Sequence, residues 1–186
     1  MHRFVAPSLA VLALAACAAR APAPATADAG EAPARNLILF IGDGMGVTTV
    51  TAARILEGQL RGEPGEENLL SFERFDHVAL AKTYSFNQQT TESAAAATAM
   101  LTGVKTRARL INLGPGQVPG TCAGSERNGL ATLAEIARAA GLATGVVTTT
   151  RITHATPAAV YARSANRDWE ADSAMTASAR AAGCID

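Results

Sequence analysis

The sequence predicts an α/β fold with a mostly parallel central sheet, and three observations lead to it. Residues 36–41 hold five apolar side chains in six and stop at Gly42-Asp43-Gly44. Residues 143–150 form a second, β-branched run that stops at a polar group, Arg151, His154 and Thr156. Stretches of helical composition separate these runs, and strands joined by helices are usually parallel. A continuous apolar run closed by a turn signal reads as a strand buried on both faces. Open α/β sheets take their ligands beyond the carboxyl ends of the strands. Asp43 and the His154/Thr156 pair therefore fall on one sheet edge, and Gly42 and Gly44 leave space beside the acid.

Composition bounds the possibilities. The chain has 186 residues, 17% of them charged, and a formal net charge of zero. That length suits one domain of ~100–200 residues. The charge balance supplies no basic field, so nucleic acid is not expected as a specific partner. With only 4% aromatic residues, the core should be aliphatic and the helices alanine-rich.

Residues 1–16 start with His2 and Arg3, continue apolar and end small, the pattern of a secretory signal. Their apolar part is too short for a membrane-spanning helix of ~20 residues. Leu14-Ala15-Ala16-Cys17 is similar to the bacterial lipobox. That similarity implies export, lipidation at Cys17 and, with Ala19 rather than aspartate two places on, an outer-membrane anchor facing the periplasm. Residues 17–35, with Pro22, Pro24 and Pro33, read as an alanine/proline tether.

The folded part begins near Arg35. After the first strand, 47–57 reads as a helix with Val50, Ile55 and Leu56 on a face, and 58–67 as a polar loop. Residues 69–75 are a short apolar piece and 77–84 a strand, with His77 a surface or structural histidine. Residues 89–103 read as a helix whose first turn takes the threonines and Glu92 and whose stop is Gly103. Ser93 then lies among the N–H groups of a helix N-terminus, a place that suits an anion. Residues 111–128 are a glycine- and proline-rich loop containing Cys122. Asn128 is read as the cap of a helix over 129–140, with Leu130, Leu133, Ile136 and Ala137 on one face. Pro157 opens a helical piece after the second strand, and 168–182 close as one alanine-rich helix.

Four blocks, in order, resemble the N-terminal half of the alkaline phosphatases. They are residues 36–56, Thr91-Glu92-Ser93-Ala94-Ala95-Ala96-Ala97-Thr98-Ala99, residues 148–158, and Asn166-Arg167-Asp168-Trp169. The resemblance implies a three-layer α/β sandwich, incomplete in this chain, and hydrolysis of phosphate monoesters. It implies two Zn²⁺ and one Mg²⁺ as cofactors. Asp43 would bridge the Mg²⁺ and one Zn²⁺, and Ser93 would bind that Zn²⁺ and act as the nucleophile through a phosphoserine. Thr156 would join the Mg²⁺ shell, with His154 close to it through water, and Arg167 would bind the phosphate of the substrate. Cys122 and Cys184 look like a disulfide pair found in some members, and the complete protein is expected to be a homodimer.

Glu92 stands where many members carry aspartate, and its extra methylene changes how the phosphate-binding arginine is reached. The family's remaining metal ligands come from its C-terminal half. Only His77 and His154 follow the signal, and neither matches a zinc ligand. The expectation is a chain with little or no turnover by itself. A surface-anchored phosphate- or metal-binding module is the alternative. A sulfatase would need a Cys/Ser-x-Pro-x-Arg context, and a dinucleotide site a third correctly spaced glycine; the sequence has neither.

Overall fold

The computed structural model describes residues 36–184. The signal, the lipidation site Cys17 and the tether expected over 1–35 lie outside those residues. The chain divides between Phe40 and Ile41, and Asp43, Ser93, Cys122, His154, Thr156, Arg167 and Cys184 all fall in the second unit, Ile41–Asp186.

Six α-helices occur among the described residues. Helix α1, Val47–Leu60, runs three residues past the expected end at Glu57. Gly58 does not stop it, because that glycine serves a close approach. A Cβ on Gly58 would lie 2.6 Å from the Gly65 Cα, and Asn68 Nδ2 donates to the Arg54 carbonyl at 2.9 Å. The apolar piece at 69–75 contains a single 3₁₀ turn, Ser71–Arg74.

Helix α2, Ser93–Thr102, ends at Gly103 in the left-handed conformation, as alanine-rich propensity and a glycine stop dictate. Helix α3 is one turn, Ser125–Asn128. The expected start of the next helix moves. Helix α4 covers Leu133–Ala139 and is capped by Thr132, not by Asn128. Thr132 Oγ1 accepts from the Glu135 N–H, and the Glu135 carboxylate accepts from the Thr132 N–H. Residues 129 and 130 cannot open that helix because the stretch 128–130 pairs with 112–114. Gly114 N–H donates to the Asn128 carbonyl at 2.8 Å and Leu130 N–H to the Asn112 carbonyl at 2.9 Å. Ile136, expected on the core face, is exposed.

Helix α5, Ala155–Ala158, is the turn that carries Thr156. The single helix expected over 168–182 is broken. A 3₁₀ turn, Asp172–Ala174, is followed by extended, buried Met175. Helix α6, Ala177–Ala181, begins under a Thr176 cap. Burying Met175 beside Trp169 outweighs alanine propensity here.

No strand is assigned among the described residues; backbone bridges join only Ile111 to Ser164 and Leu113 to Gly129, both antiparallel. The three segments expected as strands, 36–41, 77–84 and 143–150, carry no strand pairing. Val78, Leu80 and Val147 are exposed. An apolar run specifies which faces want burial; it does not name the neighbour that completes the ladder.

The core is aliphatic and alanine-rich, as composition implied. Ala94, Ala97 and Leu101 of α2 pack with Ile111 and with Ala155, Ala158 and Ala159. A second cluster joins Leu110, Leu113, Ala165, Trp169, Met175 and Ala179, with Cys184 against it. Cys184 forms a disulfide with Cys122.

Asn112, fully buried with φ 49°, ties the two sides of the first cluster together. Its N–H donates to Thr98 Oγ1 at 2.9 Å, and its Nδ2 donates to the Ala159 and Ala162 carbonyls at 2.7 Å each. Asn112→Ala leaves those carbonyls without their donor and is expected to cost ~2 kcal/mol of unfolding free energy. Urea denaturation measures it; a loss below ~0.5 kcal/mol would show that these bonds do not matter.

Candidate active site

The site is assembled from α2 outward. Glu92 caps that helix, and its carboxylate accepts from the Ala94 and Ala95 N–H groups at 2.9 Å each. Ser93 is the first helical residue, so its hydroxyl stands at the positive end of a ten-residue helix. The Glu92 carboxylate does more than cap. It accepts from the Arg109 N–H at 2.9 Å and from Arg167 Nη1 at 2.5 Å. Burial pushes the Glu92 carboxyl up, but the N–H donors of Arg109, Ala95 and Ala94, with Arg167, outweigh it. The net result lies below the ordinary glutamate value. The longer glutamate therefore does reach the arginine.

Arg167 lies across Ser93. Its Nη1 donates to Ser93 Oγ at 3.1 Å as well as to Glu92, and its Nη2 meets His154 Nε2 at 3.1 Å. A guanidinium has five N–H groups and no acceptor. His154 Nε2 must therefore be the acceptor, which leaves the imidazole proton on Nδ1. That Nδ1 is buried, has no hydrogen-bond partner, and lies 3.7 Å from Asp43 Oδ2. The same Asp43 oxygen accepts from Thr156 Oγ1 at 2.7 Å.

The five residues singled out from the sequence thus form one unbroken line of contacts, Ser93 to Arg167 to His154 to Asp43 to Thr156. Glu92 braces its arginine end. His77, read as a surface or structural histidine, is exposed. The expected disulfide pair, Cys122 and Cys184, is formed, with Cys184 packed against the second cluster.

Two supports escaped the sequence reading. Arg151 places Nε and Nη2 on the Glu170 carboxylate at 2.7 and 2.6 Å, and Thr153 Oγ1 adds a third bond at 2.7 Å. With the Arg151 bonds as the main cause and Thr153 next, the Glu170 carboxyl is held down to about 2. This clasp joins the loop before His154 to the segment just after Arg167. Arg109 is the second support; a left-handed arginine leaves no signature in a sequence.

Residues 34–186 match the sequence model of the family described as Alkaline phosphatase. The alkaline phosphatase of Gadus morhua is 67% identical over 72 residues, which are 39% of this chain and 15% of that protein. The tissue-nonspecific isozyme of Homo sapiens is 48% identical over 105 residues, 56% of this chain and 20% of that one. Among solved structures, the cold-active alkaline phosphatase of Shewanella sp. gives a TM-score of 0.56 at 32% identity, over 69% of this chain and 30% of its own. The enzyme of the Antarctic bacterium TAB5 gives 0.50 at 30% identity, over 63% and 31%. Each match spans less than a third of the relative's length. These neighbours set the fold class as α/β. The chain belongs to the alkaline phosphatase family.

Proposed function

We propose that this chain provides the nucleophile side of a metal-dependent phosphate monoesterase, with Ser93 as nucleophile and Arg167 as phosphate ligand. The observation that supports it best is the 3.1 Å contact between Arg167 Nη1 and Ser93 Oγ at the start of α2. Protein acceptors meet three of the five guanidinium N–H groups, and the remaining two are available to phosphate oxygens.

The donor set fits a dication. Asp43 Oδ2 and Thr156 Oγ1 are oxygen ligands 2.7 Å apart, suited to a hard cation such as Mg²⁺. The unpartnered His154 Nδ1 beside them would bond a water of its shell. Asp43 and Ser93 would also serve a Zn²⁺. When bound, such ions supply the Lewis acidity that lowers the pKa of a serine hydroxyl.

The chemistry assigned to the chain is then a double displacement. Ser93 Oγ gives its proton to solvent water and forms a bond to phosphorus as the ester P–O bond breaks, and the alcohol leaves with a proton taken back from water. Water next attacks the phosphoserine, which restores the hydroxyl and releases inorganic phosphate. Arg167 and the N-terminus of α2 hold the charge on the transferring group throughout.

The metal set is not completed by these residues. No group of three or more His, Cys, Asp and Glu side chains is placed for a metal among the described residues. We therefore propose that the 186 residues alone give little turnover and retain phosphate and Mg²⁺ binding. Zn²⁺ stoichiometry, homodimer formation and an outer-membrane lipid anchor at Cys17 are proposals on the same footing, from the resemblance and the lipobox.

Two measurements test this. On p-nitrophenyl phosphate with Zn²⁺ and Mg²⁺, the chain is expected to show little or no hydrolysis. Robust turnover abolished by Ser93→Ala would establish the nucleophile and refute the inertness. Inorganic phosphate binding with Mg²⁺, read by calorimetry, is expected to weaken at least ~10-fold in Arg167→Ala, the loss of a charged hydrogen-bond donor. Equal affinity in both proteins would remove Arg167 from the site.

A further inference from the structure

Arg109 holds a backbone conformation that few arginines adopt. Its φ is 77°, in the left-handed region where a Cβ crowds the following carbonyl. Among the described non-glycine residues only Asn112 shares a positive φ. Such strain persists where the surroundings over-determine it, and four bonds do so here. The Arg109 N–H donates to Glu92 Oε1 at 2.9 Å. Its carbonyl accepts the Arg167 N–H at 2.8 Å. Its Nη2 donates to Asn166 Oδ1 at 3.0 Å and also to Asp168 Oδ2.

The side chain thus grips the residue before Arg167 and the residue after it. The backbone grips Arg167 itself and the carboxylate that anchors its guanidinium. Global stability gives no account of this arrangement. The Arg109 and Asp168 side chains are 47% and 59% exposed, and an ion pair so exposed adds little to folding. Orientation does account for it, because three of the four contacts fall on residues 166–168 and the fourth on the carboxylate that holds the Arg167 guanidinium.

We propose that Arg109 is a positioning residue that sets the direction of the Arg167 guanidinium over Ser93. The proposal rests on reading Arg167 as the phosphate ligand, and its test separates the two.

Arg109→Gly is the informative variant. Glycine occupies the left-handed region freely, so both backbone bonds persist and only the side chain is lost. In the 186-residue chain, nitrogen NMR resolves the Arg167 guanidinium signals, assigned by their loss in R167K. The wild-type signals are expected to be distinct and slowly averaged, because Glu92, Ser93 and His154 hold the group. In R109G they should merge with those of solvent-exposed arginines, while the urea midpoint stays at the wild-type value. The dissociation constant for inorganic phosphate with Mg²⁺ should rise about tenfold or more, as a lost positioning contact predicts. R109K, which keeps a cation for Asp168, should restore part of both.

Unchanged Arg167 signals in R109G would overturn the proposal. So would wild-type signals that are already averaged, or a fall in the midpoint that parallels the loss of signal. If R109G averages the signals while R167A binds phosphate like wild type, positioning stands and the phosphate reading fails. The guanidinium signals decide the matter even where phosphate binding is too weak to measure.

Discussion

Reduction of the Cys122–Cys184 disulfide is expected to lower the unfolding free energy by about 4 kcal/mol. The two cysteines are 62 residues apart in sequence. A cross-link of that span removes loop-closure entropy from the unfolded chain, by about 4 kcal/mol in the chain-entropy model. Domains are stable by only ~5–15 kcal/mol, so the change is a large part of the whole. The folded state reinforces the estimate. Cys184 packs against the cluster of Leu110, Leu113, Ala165, Trp169, Met175 and Ala179, and Gly120, two residues before Cys122, donates its N–H to the Ala165 carbonyl at 2.8 Å. Cutting the bridge frees the 177–184 segment from that cluster as well as lengthening the unfolded chain. Urea denaturation of the oxidised protein and of the C122S/C184S variant measures the difference. A loss below ~1 kcal/mol would mean that the unfolded state is already restricted, or that the terminal segment contributes nothing.

The sequence was most legible where local preference and packing agree. Helix α2 ends as expected because its alanines favour helix and Gly103 accepts the left-handed stop, but it starts at Ser93 and not at 89, since Glu92 caps it and leaves the threonines outside. Asp43, Ser93, His154 and Thr156 were legible because each stands at the end of an apolar run or at a helix start, whereas Arg167 came only from the family resemblance. The bonding among the five was not legible. That Arg167 lies on Ser93 and His154 faces both Arg167 and Asp43 depends on side-chain directions that no spacing encodes. Strand pairing was the least legible part. Residues 77–84 and 143–150 show the right apolar pattern, but a ladder needs a specified neighbour, and none is engaged among the described residues. The start of α4 was misread for a local reason: Thr132 and Glu135 form a capping box, and Asn128 is a weaker signal that pairing with 112–114 overrides. The final helix failed for a tertiary reason, because burying Met175 breaks an otherwise helical stretch.

Glu92→Ala is expected to cost about 3 kcal/mol of stability and to loosen the phosphate side of the site at once. Removing an N-cap costs ~1 kcal/mol, and a hydrogen bond to a charged partner contributes ~1.5–3 kcal/mol. Glu92 supplies both, to Ala94 and Ala95 on one side and to Arg167 on the other. The variant also strands the Arg109 N–H, whose acceptor is the same carboxylate. Glu92→Gln separates the parts, since the amide keeps one acceptor oxygen and loses the charge. It should fall between wild type and Glu92→Ala. The pH dependence gives an independent check of sign. The Glu92 carboxyl lies below its ordinary value in the folded protein. Its contribution is therefore fully present above the unfolded-state pKa and is lost as pH falls through the folded one. The gap between wild type and Glu92→Ala should narrow from pH ~7 towards pH ~3, on the acid side of ordinary glutamates. Glu170, held down to about 2, is common to both proteins and cancels in that difference. A gap that stays constant across this range would show that the carboxylate charge is not what braces Arg167.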